Sequence, residues 1–235
     1  MCGRFTITLD PGKLQDELDL GDFPADFTAR YNVAPTQPVA VTRDATSRAV
    51  EWMRWGLIPF WAKDMTIGVR MINARSETLV EKPSFRDAFA KRRCLIPADG
   101  FYEWQKSAAK GPSIPHYYRM ADGKPFFFAG LWDTWKDSEG KPLNSCTIIT
   151  CSANELVGQI HERMPVIFNA ASAWDWLKPA AIPDLQKMLL PYPAEKMNGY
   201  VVSTAVNSPA LNGAELVRPA EQQLYSFIDH SPQVR

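Results

Sequence analysis

A chain of 235 residues with 46% hydrophobic and 22% charged residues has the composition of a folded globular protein, which excludes disordered, collagen-like and linker-type sequences. Its 26 Lys and Arg balance 26 Asp and Glu, so the whole-molecule field singles out neither nucleic acid nor membrane, although basic residues outnumber acidic ones across 63–93. The cysteines at 2, 94, 146 and 151 lack CxxC spacing, no apolar run reaches the roughly 20 residues that span a bilayer, and no secretory leader pattern opens the chain. Together these features predict a cytoplasmic protein with reduced cysteines, no metal, no cofactor and no membrane partner.

In chain order, short runs rich in β-branched and aromatic residues predict strands over 4–9, 39–43, 49–55, 69–75, 94–96, 101–105, 116–120, 126–132, 147–150 and 200–203. Helical patterns are fewer. One covers 13–20 after Pro11 and Gly12, and another covers 85–92 with Ser84 as its N-cap. Shorter ones cover 154–159, 170–177 after Asn169, and 184–190 after Pro183. Residues 107–115 read as a loop inside the domain, and 221–235 as a polar, loosely attached tail. The strands do not alternate strictly with long helices, which argues against a doubly wound parallel fold. The expectation is an α+β fold: a single compact domain, residues 1–220, with a β-barrel-like, strongly bent mixed sheet and flanking helices.

Several segments combine residue types suited to chemistry. Removal of Met1 would leave Cys2 as the N-terminus, with an amine and a thiol on adjacent carbons. An α-amine of pKa about 7.7–8.0 is partly neutral near pH 7 and can form an imine with an aldehyde. The thiol can then add to that imine and close a five-membered thiazolidine. Position alone favours an incidental cysteine, since a free Cys is more often a small hydrophobe. On a strand, Asn73 and Arg75 would share a face opposite Ile72 and Ala74, placing an amide beside a guanidinium; a structural Asn on a half-exposed strand gives the same pattern. Glu103 lies between Tyr102 and Trp104 after an Asp99-Gly100 turn, where desolvation would favour its neutral acid form. A solvent-facing Glu on an edge strand fits that pattern as well.

His161, one of 3 histidines, precedes Arg163 and Pro165 and so belongs on a loop or helix end, where a proton shuttle or a structural imidazole both fit. Residues 30–36 look like a recognition loop, and 55–61 place Trp55, Phe60 and Trp61 around a Gly and a Pro. Such aromatics stack unpaired bases or fill a core. Walker, GxGxxG, HExxH and GxSxG motifs are absent.

Taken together, MCGRF at the start, 30–36, 55–61, NARSET at 73–78, RRCLIPADGFYEW at 92–104, HERMPV at 161–166 and LPYPAE at 190–195 resemble the SOS-response-associated peptidase (SRAP) family of abasic-site crosslinking proteins. The resemblance runs from about Cys2 to Arg218. It implies a monomeric protein of the cytoplasm, associated with the nucleoid when bound, whose partner is single-stranded DNA containing abasic sites. It implies Cys2 as the crosslinking nucleophile, Asn73 as holder of the amine or sugar, Glu103 as acid–base group and His161 as its proton-handling partner. Arg4, Pro35, Trp61, Arg75, Thr150 and Arg163 are the implied DNA contacts. The expected activity is covalent thiazolidine capture, with abasic-site lyase and self-processing peptidase activities alongside. The alternative is an N-terminal-nucleophile amidohydrolase using Cys2.

Overall fold

Turn residues and apolar alternation cut the chain into short strands. The computed structural model, which describes residues 2–106 and 111–225, assembles them into two sheets. The first part of the chain supplies β1 (Arg4–Ile7), α1 (Pro11–Leu18), β2 (Arg30–Val33), β3 (Pro38–Val41), β4 (Glu51–Trp55), β5 (Asn73–Arg75) and α2 (Arg86–Lys91). The middle supplies β6 (Arg93–Ala98), β7 (Gly100–Gln105), β8 (Ile114–Met120), β9 (Phe126–Lys136) and β10 (Pro142–Ser152). The remainder forms α3 (Glu155–Gly158), β11 (Arg163–Pro165), β12 (Ile167–Phe168), α4 (Ala170–Ala173), α5 (Ile182–Lys187), β13 (Met197–Val202) and β14 (Pro219–Tyr225).

The first sheet is antiparallel throughout, in the order β14-β13-β8-β7-β1-β2, and curls into a half barrel. The second is mixed, because β10 runs parallel to β4 and β5 but antiparallel to β9 and β11. Its path β3-β4-β10-β9-β6 nearly closes on itself. Thr42 and Leu95 exchange backbone hydrogen bonds of 2.9 and 2.8 Å, joining the end of β3 to β6. Closure of this kind covers edges that would otherwise pair with other chains. The predicted α+β class and the barrel-like, bent sheet are thus present.

Phe5 on β1 locks the two sheets together. Its ring centroid lies 5.2 Å from Trp55 on β4 and 5.5 Å from Phe128 on β9, both edge-on. Each such aromatic pair contributes about 0.5–1.5 kcal/mol beyond its area. Because Phe5 is three residues from Cys2, the core itself fixes the start of β1. A smaller cluster of Tyr102, Tyr117, Tyr200, Val202, Val206 and Leu216 covers the other face of the first sheet.

Local structure departs from the sequence reading in identifiable places. Residues 30–33 form a strand on β1, not a recognition loop. The strand expected over 69–75 is shortened to β5, because Met65–Arg70 winds into a 3₁₀ turn capped by the Asp64 carboxylate, which accepts from Thr66 N–H at 2.8 Å. Gly56 permits that turn: its φ is 123°, and a Cβ there would meet Gly68 O at 2.5 Å. Ser84 does not cap α2; Phe85 holds the N-cap position without a side-chain bond, and a turn from Lys82 leads into the helix by backbone bonds instead. The helix expected over 170–177 is α-helical only to Ala173 and then tightens into a 3₁₀ turn. Strand β14 straddles the expected domain boundary at 220. Of the expected loop 107–115, residues 107–110 lie outside the described residues, and Ile114 and Pro115 begin β8. Most of the expected tail, 226–235, also lies outside them. Among the described residues, no helix is long and apolar enough to cross a membrane.

Candidate active site

Cys2 is fully buried at the entry to β1. Strand β1 pairs with β7 through Arg4↔Tyr102 and Phe5↔Phe101, so the chain before Arg4 runs alongside Glu103 and Trp104. Alternation along β7 sends Phe101 into the main core and Tyr102 into the smaller tyrosine cluster. Glu103 therefore shares the inner face with Phe101, and it is only 2% exposed. Burial pushes its carboxyl up to about 7, partly offset by the positive amino terminus and the Trp104 backbone. Burial raises the Cys2 thiol as well, and the Glu103 charge adds to the effect. The thiol is thus held protonated, with its Sγ 3.8 Å from Arg4 O, and it needs a base to react. Cys94, Cys146 and Cys151 are also free and buried, and burial raises their thiols too, Cys151 to about 12.

Strand β5 runs parallel to β10 with Ile148↔Asn73 and Thr150↔Arg75 in register. Ala74 is buried in the core, leaving Asn73 and Arg75 on the opposite face as alternation requires. Asn73 Nδ2 donates to the Cys2 carbonyl oxygen at 2.9 Å. Its Oδ1 is buried and accepts no hydrogen bond among the described residues. Arg75 is exposed.

His161 follows α3, whose N-cap Asn154 accepts from Val157 N–H at 2.9 Å. The His161 N–H bonds to Val157 O at 2.9 Å, and its ring nitrogen Nδ1 lies 3.0 Å from the donating backbone N of Arg163. Burial lowers its pKa, and the positive amino terminus lowers it further. The Asn73 hydrogen bond and the effect of the Glu103 charge on the thiol bring Asn73 and Glu103 to Cys2.

The expected DNA contacts divide into two sets. Trp61 is 49% exposed, Pro35 is half-buried in the turn leading to β3, and Arg75 is open to solvent. Arg4, by contrast, donates to Asn32 Oδ1 at 2.9 Å and to the Val206 and Asn207 carbonyls at 2.8 and 3.5 Å. Thr150 is fully buried, and its carbonyl accepts from Arg163 at 2.6 Å. Neither Thr150 nor the nearly buried Arg163 lies open to a phosphate in this structure.

Sequence reasoning passed over several neighbours. His116 pairs with Glu103 across β7 and β8, and Tyr118 feels the Glu103 charge. With Gln105 and Ile160 they help line a cavity of about 180 Å³. Asp99 and Glu77 also carry hydrogen-bond networks near the site. Only alternation on β8 could have signalled His116 and Tyr118; Glu77 and Arg163 are too distant in sequence for any spacing argument. The described residues contain no group of three or more His, Cys, Asp or Glu suited to a metal ion.

Comparison with known proteins bears on this geometry. The family described as SOS response associated peptidase (SRAP) matches residues 1–209. The chain is 46% identical over 222 residues to the abasic site processing protein YoaM of Bacillus subtilis, covering 92% of this chain and 97% of that one. It is 31% identical to the abasic site processing protein HMCES of Gallus gallus, covering 94% and 78%. A crystal structure of a protein from Bacteroides thetaiotaomicron superposes with a TM-score of 0.83 at 29% identity, covering 93% of this chain and all of the other.

Proposed function

The chain belongs to the SOS response associated peptidase (SRAP) family, and from that premise we propose that it processes abasic sites in single-stranded DNA, capturing the sugar aldehyde covalently through Cys2 once Met1 is removed. The observation that carries this reading is the meeting, at the start of β1, of a buried thiol, an amide bound to the same residue and a carboxyl pushed up to about 7. A carboxyl with that pKa can both donate and accept a proton near neutral pH.

The abasic sugar is a closed hemiacetal in equilibrium with an open aldehyde. Glu103, protonated, donates to the ring oxygen as the C1′–O4′ bond breaks, while the C1′ hydroxyl gives its proton to solvent and becomes the aldehyde. The Cys2 amine attacks C1′, and the carbinolamine loses its hydroxyl as water to leave an imine. Glu103, now a carboxylate, takes the thiol proton; sulfur bonds to C1′ and the proton ends on nitrogen. One water is released overall, and nothing is oxidised or reduced. Asn73 supports the first attack in two ways. Its Nδ2 fixes the Cys2 carbonyl, and its buried Oδ1 can accept from the amine. An imine that fails to close drains into β-elimination, which is a lyase side reaction. Peptidase activity is confined to release of Met1.

Exposed Arg75 suits a phosphate, while exposed Trp61 and half-buried Pro35 suit splayed bases of a single strand. Arg4, Thr150 and Arg163 are engaged by partners within the protein. The protein acts as a monomer in the cytoplasm and on the nucleoid. Intact mass after incubation with an abasic single-stranded oligonucleotide tests the reading. The expected product is protein plus DNA minus one water, formed faster than on a central duplex site and less at high salt. Equal yield from chains that retain Met1 would contradict amine attack.

A further inference from the structure

Glu77 lies in the 3₁₀ turn Ser76–Thr78 that follows β5. It accepts two hydrogen bonds from Arg163, Nη1 to Oε1 at 2.6 Å and Nη2 to Oε2 at 2.9 Å. The Arg163 side chain is 10% exposed, and its Nη2 also donates to Thr150 O at 2.6 Å. A planar two-pronged pair of this kind fixes orientation as well as distance. Here it reaches across the end of β10 and joins the segment carrying Asn73 to the segment carrying His161. Hydrogen bonds thus tie Asn73 to the Cys2 carbonyl and Glu77, through Arg163, to the imidazole, and the short stretch of chain from Asn73 to Glu77 carries both.

The last contact determines what His161 can do. A backbone N–H only donates, so the Arg163 N–H, 3.0 Å from Nδ1, requires a lone pair there. The neutral ring then carries its proton on Nε2. We propose that Glu77 is a positioning residue for the capture reaction: through Arg163 it holds the Arg163 backbone against His161 Nδ1 and so presents Nε2–H as a donor to the opened sugar. That donor suits the hydroxyl which ring opening leaves on C4′, and base duty falls to Glu103 alone. The inference rests on the capture reading only for its rate measurement. The Arg163 carbonyl oxygen lies 3.2 Å from the same Nδ1 and would accept from the opposite tautomer, so the tautomer is the property to measure.

Long-range ¹H–¹⁵N correlation spectra of the free protein read the tautomer directly, and with 3 histidines in the chain the His161 signals are assigned by substitution. The native ring should carry its proton on Nε2. Glu77→Ala should give mixed tautomers and slow adduct formation on abasic single-stranded DNA roughly 10- to 100-fold, with DNA affinity within about twofold. Glu77→Gln keeps the shape and one acceptor, and should retain the native tautomer with a smaller loss of rate. A proton on Nδ1 in the native protein overturns the proposal, and so does a Glu77→Ala protein with native tautomer and rate. Tighter DNA binding by Glu77→Ala at unchanged rate also overturns it, because Arg163 would then be a phosphate contact masked by Glu77. Failure of the native protein to form any adduct would refute the capture reading and leave the tautomer result standing.

Discussion

Two buried carboxyl groups flank β1, one near each end, and their surroundings differ in kind. Near the far end, Asp99 accepts from Thr6 Oγ1 at 2.5 Å and from Thr8 N–H and Oγ1, both at 2.6 Å, while Thr6 also meets the Tyr117 hydroxyl at 2.9 Å. Near the start of β1, Glu103 is dominated by desolvation, and the neighbouring Asn73 Oδ1 accepts nothing among the described residues. Exposure does not separate them, at 8% and 2%. The balance of their surroundings does: Asp99 meets hydroxyl and amide donors of β1, whereas desolvation outweighs the positive charge and hydrogen bonds that Glu103 receives. A carboxylate answered by short hydrogen bonds holds the strand in place, whereas a desolvated carboxyl can exchange protons.

Substitutions at the start of β1 should therefore change rate, and those at the far end should change stability. The largest effect belongs to Cys2→Ala with Met1 removed: no heat-stable adduct should form, although borohydride should still trap an imine, as gel analysis with and without reductant will show. Glu103→Gln comes next and should slow capture about 10²–10⁴-fold while DNA binding, followed by fluorescence anisotropy, is kept. The same variant should be the more stable protein at neutral pH. Because the folded-state pKa is raised from 4.5 to about 7, the folded state binds more protons than the unfolded one in that window, so native stability falls as pH rises from 4.5 to 7. Urea unfolding at the two ends of the window should show a loss of about 3 kcal/mol at most relative to Glu103→Gln.

Asp99→Ala should do the reverse and cost roughly 3 kcal/mol of stability, since it strips charge-assisted bonds from the donors of Thr6 and Thr8. Its folded fraction should capture DNA within a few-fold of the native rate; a Glu103-sized slowing in well-folded protein would erase the distinction between the two carboxyls. The smallest effect is expected from Trp61→Ala, which should weaken single-strand binding by about 1–3 kcal/mol and leave the rate at saturating DNA unchanged.

The sequence showed the reactive end of β1 more clearly than its supports. Cys2 beside the start methionine, Asn73 and Arg75 on one strand face, and Glu103 among aromatics are all arrangements of near neighbours, and local periodicity reads such arrangements well. Asp99 was legible only as a turn residue, because its donors on β1 lie more than ninety positions away. Arg4, Thr150 and Arg163 were expected as DNA contacts, and their partners within the protein, Asn32, Val206 and Glu77, come from segments too distant for local patterning to show. The strand Arg30–Val33 alternates polar and apolar residues but is only four residues long, too short for alternation to single it out, and its pairing with β1 settles it. The closure of the mixed sheet rests on the Thr42–Leu95 bridge, a tertiary contact with no local signature.

Intact mass of the native adduct, recorded before and after borohydride, tests the central claim most directly. A thiazolidine has no C=N bond, so the adduct should survive heating, weigh one water less than its two parts and gain nothing on reduction. A gain of two hydrogens, or an adduct that persists only when reductant is present, would mean that the chemistry stops at the imine and that the Cys2 thiol does not close the ring.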